Sequence, residues 1–520
     1  MKMDPNDFNI LVDLYKSGKI KEVEKGAKSL IKKFPKEIIL HNLLGAVYLE
    51  MKELDLAEEF FNKAIEIMPE YAEGLNNLGN VYRLKQKPKE ALLFFNRALK
   101  LSPDFADAHN NIGIVYKEND DFEKAKFHYK KSIELKPGSP DPYNNIGNLF
   151  KDSGMLDEAI KNFEIAIQLN QNFFEAYNNL ALTYQKKKLF KKAEKLFLKA
   201  IEILPDFKEA KYNLGYLYLT CENFKEGWKW HEYRKAKSLL IKRHELDYNK
   251  EWDGIKFEGK LLVIGEQGLG DQVMYASIFN DLIKKQKNIS VIVEERLVTI
   301  FERSFNKINF ISDKNDFSKL KYDKFIFLGS LGRVFRKFST DFKKTNYSFL
   351  IPKKSNLEQM KRHLNDNQNM KIGISWRTSS VNNRKQRSIP LEFFEPVLKM
   401  KNIDFIDLQY GDTSNERKLL KNKLGVEIFH INQLDYKNDI ENLAALTSYC
   451  DLIITIPNFT TQLAGALGKK VFVLLPLSAD WRWFLNDEKS LWYPNTSIFR
   501  QETFGEWKNV INKLYKNLRG

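Results

Sequence analysis

Residues 72–105, AEGLNNLGNVYRLKQKPKEALLFFNRALKLSPDF, decide the fold of the first half of the chain. The same small, aromatic and proline positions recur every 34 residues on both sides of this stretch. Small residues let two helices approach, aromatic rings fill the gap between them, and proline ends the second helix. The series are Gly45, Gly79, Gly113, Gly147, Ala181 and Gly215; Phe61, Phe95, Tyr129, Phe163 and Phe197; and Pro69, Pro103, Pro137 and Pro205.

This period and residue pattern are typical of the tetratricopeptide repeat. We expect an irregular cap at about 4–37 and repeats that start at about 38, 72, 106, 140, 174 and 208. Residues 1–240 should then form an α-helical superhelix with a concave groove. The last unit loses the pattern after Phe224, and we expect Trp228 and Trp230 to pack it onto the region that follows.

Two asparagine columns run through the repeats. One comprises Asn42, Asn76, Asn110, Asn144 and Asn178, and the other comprises Asn77, Asn111, Asn145, Asn179 and Asn213. An amide has donors and an acceptor, so the second column, expected on the groove side, suits binding of a polypeptide acceptor through its backbone. It resembles the asparagine ladder of the O-GlcNAc transferase superhelix. Asparagine is also common at this repeat position, which leaves a structural role open, and the first column reads as polar surface.

Composition excludes several classes of protein. Of the 520 residues, 43% are hydrophobic and 29% charged, so the chain can bury real cores and is not mainly disordered. The net charge of +16 comes from dispersed lysines without a long basic block, which argues against nucleic acid and leaves anionic substrates possible. Two cysteines and scattered histidines predict neither a disulfide framework nor a metal site. The absence of a long apolar run or a leader-like start predicts a cytoplasmic protein without a membrane span.

The second half reads as α/β. Residues 241–257 predict a linker or docking segment, and short apolar runs then alternate with helical patterns. The runs lie at 261–265, 291–294, 325–329, 372–375, 405–410, 452–456 and 471–476. A charged break at 353–369 divides them, which predicts two Rossmann-like halves at 258–352 and 370–520. Ligands of such open sheets bind at the carboxyl ends of the strands.

The first strand-end segment is GEQGLGD at 265–271, where a strand meets a helix. Gly268 and Gly270 allow a ligand to approach the backbone, and the helix N-terminus favours anions. The segment is neither GxGxxG nor a P-loop, so dinucleotide and P-loop readings are weak. Asp271 is either an N-cap residue or a general base that faces a cleft.

Further strand-end segments suggest a binding site for a nucleotide-activated donor. Trp376 and Arg377, with Arg384, Lys385 and Arg387 in the loop that follows, suit a diphosphate, although a solvated basic loop fits as well. Gln409 and Tyr410 could meet a nucleobase. A second anion site is expected where a strand enters a helix, at Asn458, Thr460, Thr461 and Gln462. The cluster Asp480-Trp481-Arg482-Trp483 is as compatible with domain packing as with binding.

Together these segments resemble the GT-B glycosyltransferases of the heptosyltransferase-like family, glycosyltransferase family 9, over about 258–515. The LGD element at 269–271 is similar to that family's glycine loop, so the resemblance implies that Asp271 activates the acceptor hydroxyl. LAGALGKKVFVLL at 463–475 is similar to its donor diphosphate element, and the loop at 384–387 falls where the family places a phosphate-binding cation. The resemblance implies a metal-independent, inverting transfer that uses a nucleotide-sugar substrate and no cofactor.

Two positions depart from that family: Pro457 stands where its Asp is expected, and Gln462 where its His is expected. The layout of repeats followed by this domain resembles bacterial repeat-containing glycosyltransferases, including flagellin and other protein O-glycosyltransferases. We therefore expect transfer of a sugar to a protein hydroxyl, with the groove recruiting the acceptor. A repeat scaffold with an inactive GT-B domain, and a transferase acting on glycan or lipopolysaccharide, are the alternatives.

Overall fold

The computed structural model describes residues 3–243, 246–315, 320–342, 348–364, 367–378, 387–477, 480–485 and 488–519. Its contacts divide the chain into two compact units, Met1–Ile203 and Leu204–Gly520. The repeat pattern predicted a boundary at 240, after the last repeat, whereas the contacts place it at 203, before that repeat. The contacts assign the last repeat to the second unit, because that repeat shares its core with the α/β elements.

The first unit consists of helical hairpins in the predicted phase. Its helices are Pro5–Lys16, Ile20–Lys33, Ile38–Glu50, Leu54–Ile67, Ala72–Leu84, Pro88–Leu101, Ala106–Glu118, Phe122–Leu135, Pro140–Asp152, Leu156–Leu169, Phe174–Lys186 and Phe190–Ile203. The small residues that recur every 34 positions allow the two helices of a hairpin to approach, as predicted. A methyl group added to Gly79 would lie 2.7 Å from the ring of Phe95, which is fully buried against it. The aromatic position of the second helix therefore requires the small position of the first.

The second unit begins with the last repeat, which packs directly on the α/β region. Its helices are Lys208–Thr220, Phe224–His231 and Lys235–Arg243. The buried indole of Trp228 donates to the carbonyl of Arg336 at 2.7 Å, and the Phe224 ring lies 4.9 Å from that of Phe342. The expected docking role of Trp228 is thus confirmed, whereas Trp230 is only half-buried.

The first sheet has four parallel strands in the order β3-β2-β1-β4. They are β1 (Leu261–Ile264), β2 (Ile289–Val293), β3 (Ile308–Ser312) and β4 (Lys324–Phe327). The predicted linker is part of this layer, because the Trp252 amide donates to the carbonyl of Phe325 in β4 at 2.7 Å. The helices around this sheet are Leu269–Ala276, Phe279–Lys285, Val298–Ser304, Leu331–Phe335 and Ser339–Phe342, with 3-10 turns at Tyr248–Lys250, Glu295–Leu297 and Leu328–Ser330. The next helix, Lys354–His363, packs on the helix Ile440–Tyr449 beside the second sheet, where the side chain of Asn356 donates to that of Asn442 at 2.9 Å.

The second sheet has six parallel strands in the order β10-β9-β8-β5-β6-β7, which is the strand order of a doubly wound Rossmann sheet. They are β5 (Met370–Ser375), β6 (Ile403–Asp407), β7 (Ile428–Phe429), β8 (Leu452–Thr455), β9 (Lys470–Leu475) and β10 (Thr496–Arg500). Its helices are Glu395–Leu398, Ser414–Leu424, Ile440–Tyr449, Phe459–Ala466 and Trp507–Arg519, with 3-10 turns at Leu391–Phe394 and Trp481–Trp483.

Both faces of this second sheet are covered. On one face Ile372 and Ile374 share a core with Val510 of the last helix, and on the other Ile453 packs with Leu463. Burial on both faces explains why the central strands are unbroken apolar runs. The predicted fold class, a superhelix of tetratricopeptide repeats followed by an α/β region with parallel sheets, is confirmed.

Candidate functional site

A cavity of about 300 Å³ lies at the carboxyl ends of β1 and β8. In each sheet, successive strands are first added on one side of the first strand and then on the other side. The order changes between β1 and β4 in the first sheet and between β5 and β8 in the second, next to this cavity. Such switch points are where open α/β sheets bind ligands. The cavity is lined by Gly268, Gly270, Asp271, Arg387, Pro457, Asn458, Gln462, Asp480, Arg482 and Trp483.

Two helix N-termini line this cavity. The helix Leu269–Ala276 has Gly268 as its N-cap, and the helix Phe459–Ala466 has Asn458 as its N-cap. The helices approach so closely that a methyl group on Gly270 would lie 3.3 Å from Cγ of Gln462. Free N–H groups and the helix dipole make each terminus favourable for anions.

Asn458 is held in place by its neighbours. Its amide donates to the Ser375 hydroxyl at 2.8 Å, which joins the end of β8 to the end of β5. Its side-chain oxygen accepts from the Thr455 hydroxyl at 3.2 Å and from the amide of Thr461 at 3.4 Å. Asn458 therefore fixes the switch point of the second sheet.

Asp271 lies in the first turn of its helix and faces the cavity. Because Gly268 caps that helix, the N-cap role considered for Asp271 is wrong. Oδ1 of Asp271 is 2.7 Å from Nη2 of Arg482, and 28% of its side chain is exposed. Burial raises the pKa of the Asp271 carboxyl, and the Arg482 guanidinium opposes this rise.

Arg482 contacts a second carboxylate, since its Nη1 lies 2.6 Å from Oδ1 of Asp480. Burial works to raise the pKa of Asp480, but the guanidinium groups of Arg482 and Arg387 outweigh it and hold the pKa below its ordinary value. The two carboxylates around one guanidinium thus have pKa values shifted in opposite directions. Such divergence is typical of sites where one carboxylate handles protons and the other stays ionised.

The last repeat lies beside this site. The hydroxyl of Tyr216 accepts a hydrogen bond from the amide of Trp481 at 3.3 Å, next to Asp480 and Arg482. Gln462, which also lines the cavity, accepts at Oε1 from the hydroxyl of Tyr493 at 2.7 Å. A repeat helix therefore borders the segment that carries the charged side chains.

The structure brings together six of the predicted site residues in the cavity lining: Gly268, Gly270, Asp271, Arg387, Asn458 and Gln462. Trp376 and Arg377 line a different cavity, of about 980 Å³, beside the helix Ser414–Leu424. Arg384 and Lys385 lie outside the described residues.

The other side chains predicted to bind the nucleotide-sugar donor form hydrogen bonds within the protein. Gln409 is fully buried, and its side-chain oxygen accepts from the Ser375 hydroxyl and from the amides of Trp376 and Arg377 at 2.9–3.1 Å. Its amide nitrogen donates to the carbonyl of Tyr410 at 3.1 Å. The buried hydroxyl groups of Thr460 and Thr461 donate to the carbonyls of Leu408 and Ile456. Donor binding by these side chains stays a prediction.

The two asparagine columns form one ladder between repeats. In each pair, the side-chain amide of the second column donates to the side-chain oxygen of the first column in the preceding repeat, at 2.9–3.0 Å. The pairs are Asn77 with Asn42, Asn111 with Asn76, Asn145 with Asn110, and Asn179 with Asn144. The ladder gives both columns a structural role, and acceptor binding by Asn77, Asn111, Asn145, Asn179 and Asn213 stays a prediction.

Sequence reasoning assigned Asp480 and Arg482 no specific role. Their cluster stood out as aromatic and cationic, but only the fold places Arg482 against Asp271. In the part of the chain that the structure describes, no group of three or more His, Cys, Asp or Glu side chains is arranged to hold a metal ion. Nor, over those same residues, is any helix both long enough and apolar enough to cross a membrane.

The N-terminal half carries tetratricopeptide repeats. Family models described as "Tetratricopeptide repeat" match residues 36–104, 106–139 and 174–207, and one described as "TPR repeat" matches 147–188. A solved structure of the APC/C hetero-tetramer Cut9-Hcn1 is similar over 45% of this chain and 48% of its own, with 17% identity and a TM-score of 0.41. A repeat protein of Thermus thermophilus is similar over 35% of this chain and 98% of its own, with 21% identity and a TM-score of 0.33.

One curated relative matches a longer stretch of the chain than any one of these family models does. Protein FlbA of Caulobacter vibrioides is 32% identical over 313 residues, which are 56% of this chain and 52% of that protein. The chain thus spans about half the length of the curated relative it matches. The family models thus show tetratricopeptide repeats in the N-terminal half, and FlbA is similar to part of the chain.

Proposed function

We propose that this protein is a GT-B glycosyltransferase that moves a sugar from a nucleotide-sugar donor to a hydroxyl group of a polypeptide. The observation that carries the proposal is the cavity where two helix N-termini, two arginines and Asp271 converge. Anion-binding groups and a carboxylate with a raised pKa, side by side, are what a diphosphate leaving group and an acceptor hydroxyl require.

In this proposal the diphosphate of the donor lies at the start of the helix Phe459–Ala466. N–H groups there and the guanidinium groups of Arg387 and Arg482 would stabilise the negative charge that develops on the leaving oxygen. Protein cations of this kind can perform the task that a metal ion performs in other transferases.

Asp271 is the general base. Its carboxylate takes the proton of the acceptor hydroxyl while that oxygen bonds to the anomeric carbon of the donor sugar. The bond from that carbon to the phosphate oxygen breaks, and the nucleoside diphosphate leaves with the electron pair. Attack from the side opposite the leaving group inverts the anomeric carbon. Asp480, whose pKa is held low, stays ionised as the counterion of Arg482.

The repeats bind the acceptor in this proposal. An amide nitrogen has two N–H groups, and each ladder bond from Asn77, Asn111, Asn145 and Asn179 uses one of them. Within the second unit, Tyr216 of the last repeat touches the segment that carries Arg482, so a polypeptide on that repeat would pass the cavity.

The test is intact-protein mass spectrometry of a lysate from cells that lack this gene, incubated with the purified protein and a panel of nucleotide sugars. We expect a sugar-sized mass gain on at least one protein, and none without the added enzyme. A gain confined to glycan or lipid fractions would replace the protein acceptor with a glycan acceptor. Absence of any gain with every donor would contradict the proposal.

A second candidate is a repeat scaffold whose α/β region is inactive. Three features favour it: Asp271 is ion-paired, Gln462 accepts from Tyr493, and Pro457 stands in the cavity lining. Turnover separates the candidates, because a scaffold of this kind would transfer no sugar in the lysate assay whether or not it binds a nucleotide sugar.

A further inference from the structure

Arg482 occupies an unusual position in the cavity. Two of its nitrogens each contact a carboxylate, Asp271 at 2.7 Å and Asp480 at 2.6 Å, and 15% of its side chain is exposed. Its Nε is buried and has no hydrogen-bond partner among the described residues. The guanidinium also lies over the ring of Trp481, 4.8 Å from the centroid. One guanidinium thus neutralises two carboxylates, and its Nε–H group has no acceptor among the described residues.

The two contacts differ in kind. Asp480 is two residues from Arg482, and its carboxylate also accepts the backbone amide of Arg482 at 3.1 Å, so this pair belongs to a local turn. Asp271 lies on the helix after β1 of the other sheet, so the Asp271–Arg482 pair joins the two Rossmann-like halves. A rotation of the Asp271 side chain can break the Asp271–Arg482 pair and leave the contact between Arg482 and Asp480 in place.

An anion in the cavity would change this balance. Asp271, Asp480, Arg387 and Arg482 carry formal charges that sum to zero, and a diphosphate adds negative charge between them. Repulsion from Asp271 would then oppose binding, whereas a guanidinium directed at the phosphates would favour it. Nη1 of Arg482 is held by Asp480 and its Nε is buried, so turning the Nη2 group toward a phosphate would lengthen the 2.7 Å contact with Asp271.

We propose that the Asp271–Arg482 pair is a donor-operated switch: the diphosphate of the donor takes Arg482 from Asp271 and thereby frees the base. This inference rests on the proposed function. Before the donor binds, Arg482 pairs with the Asp271 carboxylate and makes it a weaker base than it is without that partner. After the donor binds, Arg482 pairs with the phosphates and Asp480, and Asp271 accepts the acceptor proton. The site can therefore deprotonate an acceptor only when a donor is present.

The test measures the affinity of the full-length protein for inorganic pyrophosphate by calorimetry. Asp271→Asn removes the competitor for Arg482, so we expect pyrophosphate to bind about three- to tenfold more tightly. Arg482→Gln should weaken binding about tenfold or more, and the conservative Arg482→Lys should fall between. In the double variant Asp271→Asn with Arg482→Gln, the gain from Asp271→Asn should shrink to the part that comes from lost repulsion, because no arginine remains to be released.

A matched control is Glu427→Gln, which makes the same carboxylate-to-amide change in an exposed ion pair with Lys421. It should leave the affinity unchanged, and tryptophan fluorescence should show that all variants are folded. Unchanged or weaker binding by Asp271→Asn, or effects that add in the double variant, would overturn the switch while the lysate assay still reads sugar transfer. Failure of the wild-type protein to bind pyrophosphate at millimolar concentration would overturn the switch and also remove the diphosphate site from the proposed function. A confirmed switch without transfer to any acceptor would contradict the proposed function alone.

Discussion

Replacing Trp228 with alanine should strongly lower the stability of the α/β region, although Trp228 belongs to a repeat. The indole is 1% exposed and lies on the backbone of Gly332, where a methyl group would be 2.5 Å from it. Emptying such a site costs about 3–5 kcal/mol. The carbonyl of Arg336 also loses its buried donor, which costs about 1–3 kcal/mol more. We expect the free energy of unfolding to fall by about 5 kcal/mol.

The assay is urea denaturation of the full chain followed by tryptophan fluorescence. All 8 tryptophans lie between positions 228 and 507, so this signal reports only on the second unit. Trp230→Ala, in the same helix but half-buried, is the matched control and should cost less than about 1 kcal/mol. If Trp228→Ala costs no more than Trp230→Ala, the last repeat is not part of the α/β core and the unit does not begin near 204.

Three further predictions concern the repeats and the donor site. His109 and His128 lie with Nδ1 atoms 3.0 Å apart, and burial lowers the pKa of His128 to about 4. The repeats should therefore lose about 1 kcal/mol, allowing for partial exposure, as the pH falls from 6.5 to 4, and His128→Gln should lessen this loss in thermal unfolding followed by circular dichroism. In the same assay Gly79→Ala should cost about 1–3 kcal/mol through its clash, whereas Gly138→Ala, with no atom within 4 Å, should cost nothing measurable. Arg387→Ala should raise the Kd for nucleoside diphosphates about tenfold, and an unchanged calorimetric Kd would remove Arg387 from the site.

The repeats could be predicted because their information is local and recurs in phase. Gly45, Gly79, Gly113 and Gly147 are each explained by an aromatic ring about half a repeat further along, as with Gly79 and Phe95. The central strands were predictable for a related reason. Strands buried on both faces read as apolar runs, and β1, β5, β8 and β9 are of this kind.

Three edge strands, β3, β7 and β10, were missed, whereas the edge strand β4 was predicted by the apolar run at 325–329. β3 and β10 have mixed burial, and β7 is two residues long, so none presents an apolar run that distinguishes a strand from a loop. Each lies at the end of its sheet order, where one neighbour is lacking. Whether such a segment forms a strand depends on pairing with its one neighbouring strand, and the local sequence pattern does not show that pairing.

The location of the candidate cavity was predictable, and its side-chain contacts were less so. Asp271 and Asn458 could be found because they follow strands whose carboxyl ends meet at a switch point. The same rule suggested Gln409, but the structure uses that side chain to hold the strand-end amides. Arg482 escaped prediction because its pairing with Asp271 arises from the packing of two sheets.

The most direct test of the account compares Asp271→Asn with the wild-type protein at saturating nucleotide sugar and acceptor. A general base contributes about 10²- to 10⁴-fold to the rate, so the account predicts a loss of that size in kcat while nucleoside diphosphates still bind. Transfer by Asp271→Asn at the wild-type rate would contradict the account, because the carboxylate facing the cavity would then take no proton from the acceptor.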